Sequence, residues 1–269
     1  MESIKQVIKA RRSVRTYDGK QITAEDRRKL IELFNDSGNP FGAEVEFRLL
    51  NAEEHDLTSP VIVGADLYVG AKLKTGKGYE VACGYSFERF CLSAWAIGIG
   101  TVMLGGTLSR KTFEKAMELK EDEAMPVASP VGYPAQKLSV REKMMRGAVK
   151  ADKRLPFEKL FFENSFDTGL TEERAGKFAD ALEAVRLAPS AINKQPWRAV
   201  VCGDTVHFFE KKSAGMATEK YDIQKVDMGI ALAHFNLTLE EQGVTGRFFD
   251  GKPDFAVADG LEYIISYKA

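Results

Sequence analysis

Cysteine and histidine are scarce, with three of each in 269 residues, and neither set is spaced for chemistry. Cys83, Cys91 and Cys202 are too few and too far apart for a disulfide framework or a Cys-x-x-Cys metal or redox motif, so they read as packed, reduced thiols. His55, His207 and His234 lack the helical spacing that puts two ligands on one face, and no metal site is expected. An excess of either charge is also missing. Lysine and arginine total 38 against 39 aspartates and glutamates, a formal net charge of −1 that gives no general drive toward nucleic acid or an anionic bilayer. The longest apolar run, around Phe90 to Leu104, is too short and too rich in glycine to span a membrane, and Met1–Lys5 lacks the apolar core of a secretory signal. The expectation is a soluble, cytoplasmic protein acting on small molecules. At 44% hydrophobic residues the chain can bury a large core, as one domain or two.

What the sequence does contain is an internal repeat. Gly84-Tyr85-Ser86-Phe87-Glu88-Arg89-Phe90-Cys91-Leu92 lies on Gly229-Ile230-Ala231-Leu232-Ala233-His234-Phe235-Asn236-Leu237 at a constant offset (229 − 84 = 145), and Gly98-Ile99 falls on Gly243-Val244. Upstream, Asp26–Leu50 and Lys177–Val201 each read as an amphipathic helix, a Pro/Asn turn and a strand starting near an aromatic–Arg pair, Phe47-Arg48 and Trp197-Arg198, a weaker match that needs a gap. The division that follows is residues 1–135 for the first repeat, a basic linker at 136–155, and 156–269 for the second. A self-pairing unit that has been duplicated and fused gives a single-chain pseudo-dimer whose two interface sites are free to diverge.

Ile4, Val7 and Ile8 recur at helical spacing, which puts Arg11 and Arg12 at or just past a helix end, and Thr23 reads as the N-cap of a helix through Leu30, Leu33 and Phe34. Strands are expected at Val45–Leu49, Val61–Val63, Leu67–Val69, Ala199–Cys202, Val206–Phe209 and near Tyr263–Tyr267. The stretch Tyr85–Ile97 is apolar almost all round and belongs in the middle of the fold or at a permanent interface, and its counterpart is expected from Asp227 to about Glu241. Helices and strands mix without strict alternation, which predicts an α+β fold.

Two segments could carry a site. Arg11, Arg12, Ser13 and Arg15 bring forked guanidiniums and a hydroxyl together, a set that grips phosphate. The aligned stretch of the second copy, Phe161-Phe162-Glu163-Asn164-Ser165-Phe166-Asp167, has no arginine. The other segment is Ala188-Pro189-Ser190-Ala191-Ile192-Asn193-Lys194-Gln195-Pro196-Trp197. It reads either as a helix-to-strand turn with a buried tryptophan or as a loop whose small residues let the backbone approach a flat ring while Asn193 bonds a sugar-like chain. Gly98-Ile99-Gly100-Thr101-Val102-Met103-Leu104-Gly105-Gly106 follows a helix, whereas a dinucleotide fingerprint follows a strand, so Gly98 reads as a helix stop and Gly105-Gly106 as a close approach of main chain to ligand. Gly76-Lys77-Gly78 lacks the spacing of a phosphate loop, and Ser190 lacks a nucleophile elbow.

Together these residues resemble the nitroreductase family of FMN-dependent oxidoreductases, in a branch where one duplicated polypeptide replaces the usual homodimer. The family's Arg-(Arg/His)-Ser-x-(Arg/Lys)-x-(Phe/Tyr) segment, which holds the FMN phosphate and ribityl chain, is matched by Arg11–Tyr17. Its Ala-Pro-Ser-x-x-Asn-x-Gln-Pro-Trp segment, supplied by the partner subunit, is matched by Ala188–Trp197, and its Gly-(Leu/Ile)-Gly-Thr helix end and flavin-facing loop by Gly98–Gly106. The resemblance implies a nitroreductase-like fold with one FMN between the repeats, held by Arg11, Arg12, Ser13, Arg15, Met103, Leu104, Gly105, Gly106, Pro189, Ser190, Ala191 and Asn193. In the second copy Phe161–Glu163 would stand for the arginines and Asn35–Gly42 for the Pro-Ser-Asn loop, leaving no second site. It further implies NADH or NADPH as electron donor, a nitroaromatic, quinone or similar acceptor, main-chain N–H groups near Leu104–Gly106 toward the flavin, no catalytic side chain, and a chain that works as a monomer. The alternative is a flavin-binding protein without turnover, for storage or sensing.

Overall fold

A computed structural model describes residues 2–269. Ser3 opens α1 (Ile4–Ala10) with a reciprocal cap, its hydroxyl accepting from the Gln6 N–H while the Gln6 side chain accepts from the Ser3 N–H. Thr23 caps α2 (Ala24–Asp36) by accepting from the Asp26 N–H at 3.1 Å. Then come β1 (Glu46–Asn51), the short α3 (Ala52–His55), β2 (Leu67–Lys74), α4 (Tyr79–Ala96), β3 (Gly100–Thr101), α5 (Arg110–Ala116), β4 (Glu123–Ala124), β5 (Ala128–Gly132) and α6 (Val140–Ala148). The remainder is β6 (Phe161–Glu163), α7 (Ala179–Leu187), β7 (Trp197–Cys202), β8 (Thr205–Lys211), α8 (Ile223–Glu241), β9 (Arg247–Phe249) and β10 (Leu261–Lys268).

The strands form two sheets of the same plan, β1-β2-β5-β3 and β7-β8-β10-β9, antiparallel throughout. β4 adds to β2 in the first sheet, and β6 adds in parallel to β7 in the second. This is an α+β fold of two repeats. Between the repeats α4 packs along α8, and the contact is reciprocal. A Cβ on Gly84 would lie 2.0 Å from the Val226 carbonyl oxygen, and one on Gly229 would lie 2.0 Å from that of Val81. The pairs are related by the offset of the repeat (226 − 81 = 229 − 84 = 145), as a pseudo-twofold axis between two helices requires. Gly98 and Gly243, at φ 83° and 73°, end the two helices in the same left-handed way. Beyond them the second copy has two extra residues before its strand, since Gly100 opens β3 and Arg247 opens β9 (247 − 100 = 147).

Several expected elements differ. Val61–Val63 is a turn with one bridge from Val63 to Thr16, because no neighbouring strand runs alongside it. The last helix starts at Ile223 instead of Asp227, with Asp222 as its cap, and β2 runs on to Lys74. Phe161–Glu163 is not the structural counterpart of the arginine segment. It is an edge strand paired with Ala199–Val201, whereas Arg11–Tyr17 bridges to Thr101 and Val63. The 136–155 stretch holds α6 and a turn that joins the site described next. Among the described residues no helix is long and apolar enough to cross a membrane.

Candidate active site

A cleft lies on the seam between the repeats. After α1 the chain turns extended, pinned by Val14 N–H to the Thr101 carbonyl (2.9 Å) and by the exchange of Tyr17 N–H and Arg15 carbonyl with Val63. Residues of an extended segment alternate in direction, so Val14 and Thr16 are buried while Ser13 and Arg15 line the cleft. The facing wall is Pro189–Ile192 and the first two turns of α8, with Ile223, Val226, Asp227 and Ile230. Together with Val102, Met103 and Gly105 these make an apolar lobe of about 550 Å³. A contiguous basic lobe of about 800 Å³ adds Arg12, Arg146, Arg154 and Asn193.

The charges are unequally answered. Arg11 is almost fully buried and meets Glu88 at 2.9 Å, and Glu88 in turn meets His234 at 2.9 Å, so a charge from the first repeat is tied to the helix of the second. Arg12 reaches the buried Glu142 at 3.4 Å, and Arg146 pairs with Asp152. Among the described residues Arg15 has no ion pair and no side-chain hydrogen bond, and its Nε is buried. Burial is the main cause lowering its pKa; Arg146 and Arg11 push the same way while Glu142 opposes them. Arg154 is in a similar state, lowered chiefly by burial and next by Arg186, its Nη atoms bonded to neutral acceptors (the Ala151, Lys153 and Leu187 carbonyls and the Asn193 side chain) and its Nε bonded to nothing. Two partly buried guanidiniums, neither in an ion pair with a protein carboxylate, suit an external anion. The residues present fit an anionic group with an apolar, ring-sized body.

The Pro189–Gln195 loop is held hard. Its Ala191 N–H is accepted by both oxygens of Asp227, at 2.9 and 3.1 Å, and burial above all, with Asp222 and Glu210 behind it, pushes the Asp227 pKa well above the usual carboxylate range. Ser190 Oγ accepts from the Gln195 N–H at 2.9 Å, and the Gln195 side chain accepts from the Leu155 N–H at 2.8 Å. Ile192, Asn193 and Gln195 all have positive φ.

Of the residues expected from sequence, Arg11, Ser13, Arg15, Met103, Gly105, Pro189, Ser190 and Ala191 line the apolar lobe, and Arg12 and Asn193 the basic one. Leu104 and Gly106 line neither. The Leu104 N–H is taken by the Ala128 carbonyl at 2.7 Å, so it cannot serve a ligand. A corrected role also applies to Asn193, whose amide donates to the Lys150 and Lys153 carbonyls and accepts from Arg154. It positions the arginine-bearing turn instead of offering a free amide. Trp197 is fully buried in β7, away from the cleft. Sequence reading missed Arg154 and Asp227; the only available signal for Arg154 was its place in the basic run after Tyr133.

The pseudo-twofold mate of this cleft is filled. Ile230 on α8 corresponds to Tyr85 on α4 (230 − 85 = 145), which is buried. The Tyr85 ring meets Phe41 edge-on at 5.5 Å, and Phe41 lies 5.4 Å from Phe248 of β9. Phe41 comes from the loop after α2, as Ile192 comes from the loop after α7. Three aromatic rings stand where the other seam has a cleft.

A family model described as “Putative TM nitroreductase” matches residues 3–239, and the chain belongs to that nitroreductase family. A Thermotoga maritima protein described as a “putative nitroreductase” superposes with a TM-score of 0.65 at 19% identity, covering 99% of this chain and 94% of that one. An FMN-dependent nitroreductase from Clostridium difficile R20291 aligns at TM-score 0.40 and 13% identity, over 49% of this chain and 88% of its own. A Bacteroides fragilis nitroreductase with bound FMN aligns at 0.42 and 19%, over 52% and 92%. No curated protein matches the chain.

Proposed function

We propose that this nitroreductase-family oxidoreductase binds one FMN per chain in the seam cleft and carries electrons from NADH or NADPH to a nitroaromatic, quinone or similar electron-poor acceptor. The observation that carries the reading is Arg15, a partly buried guanidinium in no ion pair and no side-chain hydrogen bond, lining the cleft. Arg15 and Arg154 would hold the phosphate, with Ser13 beside them, while Arg11 and Arg12, already neutralised by Glu88 and Glu142, set the field and the wall. Gly105 lets the two walls of the cleft come close, since a Cβ there would lie 2.8 Å from the Ile223 side chain. Asp227 supports the ring from behind by fixing the Ala191 N–H. When bound, the flavin supplies the hydride chemistry, and the chain needs no side-chain acid or base for it.

Both walls of the cleft belong to one chain, which supports function without a second copy. Purified protein should be yellow, with one equivalent of FMN released per chain, and should oxidise NADH or NADPH when a quinone or nitroaromatic is present. Two equivalents per chain would defeat the single-site reading, and a flavin-loaded protein inert to both donors would make it a flavin carrier.

A further inference from the structure

The carboxylate that answers Arg11 is itself shared. Glu88 is fully buried on α4, one oxygen accepting from Arg11 Nη2 at 2.9 Å and the other lying 2.9 Å from Nε2 of the buried His234 on α8. The other ring nitrogen of His234, Nδ1, lies 2.9 Å from the Ala184 carbonyl of α7. A carbonyl oxygen only accepts, so Nδ1 carries a hydrogen. A second hydrogen must then lie between Nε2 and the carboxyl, on the ring or on Glu88. Arg11 on the far oxygen holds Glu88 as the anion, which leaves both hydrogens on the ring. Two cations therefore face one carboxylate, and one positive charge is left over. It lies where a ligand would feel it, since Arg11 lines both lobes of the cleft and His234 borders the basic one. Of the carboxylates nearby, Asp152 pairs with Arg146 and Glu142 with Arg12. The Cys91 thiol, beside Glu88 and Arg11, is pushed up to about 12 by burial and next by Glu88, and stays neutral. In the register of the repeat Glu88 falls on Ala233 and His234 on Arg89 (233 − 88 = 234 − 89 = 145), so the cluster occurs once, under the open seam.

We propose that His234 is a positioning residue held as a buried imidazolium, which takes up part of the Glu88 charge so that Arg11 keeps a positive field for the anionic end of the ligand. This rests on the reading of the basic lobe as a phosphate site, and deepens it by naming the group that stops a buried ion pair from cancelling one of its arginines.

The test uses the full chain freed of cofactor. Nitrogen NMR of its three histidines, with His234→Gln to assign the signal, should show both His234 ring nitrogens carrying hydrogen near pH 7. One bare ring nitrogen overturns the proposal whatever the variants do. Each protein is then titrated with FMN and with lumiflavin, which has the ring but no phosphate chain. His234→Gln removes a cation and leaves the carboxylate, and should weaken FMN about tenfold with lumiflavin unchanged. Adding Glu88→Gln removes the carboxylate as well and returns the charge balance of wild type, so the double variant should recover FMN affinity to within about threefold. A purely structural role predicts the opposite, a further loss as a second buried contact goes, and that result overturns the proposal. If Arg15→Ala weakens FMN while His234→Gln does not, the proposal falls and the functional reading stands. A wild-type chain that binds FMN no more tightly than lumiflavin ends both.

Discussion

The two seams of this molecule start from the same parts. Each has a loop following an amphipathic helix, a central helix that crosses its twin at a glycine, and a strand beyond a left-handed glycine. One seam keeps small or flexible residues and uncompensated arginines, and is open. The other holds Phe41, Tyr85 and Phe248 and no arginine cluster, and is closed by ring-on-ring contacts. The difference shows that one frame accommodates either a cleft or a packed aromatic cluster. Apolar bulk stabilises the closed seam, whereas the open seam retains buried charge and backbone strain that only a ligand would offset.

The largest effect should come from breaking what the seams share. Gly229→Ala or Gly84→Ala forces a methyl against a carbonyl oxygen at the helix crossing and should cost roughly 3 kcal/mol or more, read as a collapse of the denaturation midpoint and loss of both seams together. Next, Arg15→Ala should weaken FMN about a hundredfold, the loss of charge-assisted hydrogen bonds to phosphate, whereas Phe166→Ala in the arginine-free stretch should leave FMN affinity within twofold. A titration that gave equal losses for the two would remove the asymmetry.

A third test concerns the sheets behind the seams. Phe47 in the first repeat is paired across the ladder with Ala71, whereas its aligned partner Trp197 is paired with Glu210, which is wholly buried with both carboxylate oxygens unpartnered. Burial, followed by Asp222 and Glu262, raises Glu210 from 4.5 to about 7, against Lys225 and Lys212. A carboxyl raised on folding favours the native state while it stays protonated, so its contribution is full below pH 4.5 and is lost as pH rises through about 7. Wild type should therefore be less stable at pH 8 than at pH 5 from this source, and Glu210→Gln should recover about 2 kcal/mol at pH 8 and little at pH 5. Identical pH profiles for the two proteins would mean the carboxyl finds water in the folded state. The smallest effect is expected from Phe41→Ala, about 1–2 kcal/mol of stability for a half-buried ring, with FMN binding in the open seam unchanged.

Much of this was legible in the chain because it is local. The Ser3 and Thr23 caps, the helix stop at Gly98, the arginine cluster and the Pro-Ser-Asn loop each depend on a few adjacent residues. What stayed hidden depends on distant partners. Arg154 enters the basic lobe because Asn193, 39 residues on, binds the turn that carries it. Leu104 is withdrawn from the ligand by Ala128, and Phe161–Glu163 is an edge strand only because Ala199–Val201 arrives beside it. The aromatic filling was hidden for the same reason, since Phe41, Tyr85 and Phe248 come from three separate parts of the chain.

The reciprocal glycine crossing has one more consequence. In an assembly of identical subunits every substitution is made twice, so a ring placed in one interface pocket is placed in both, and activity would vanish with it. Here the covalent link makes each change single while keeping the halves at a fixed one-to-one ratio whatever the protein concentration. Tyr85 can be large without Ile230 being so, and that independence allows one seam to be filled while the other stays open.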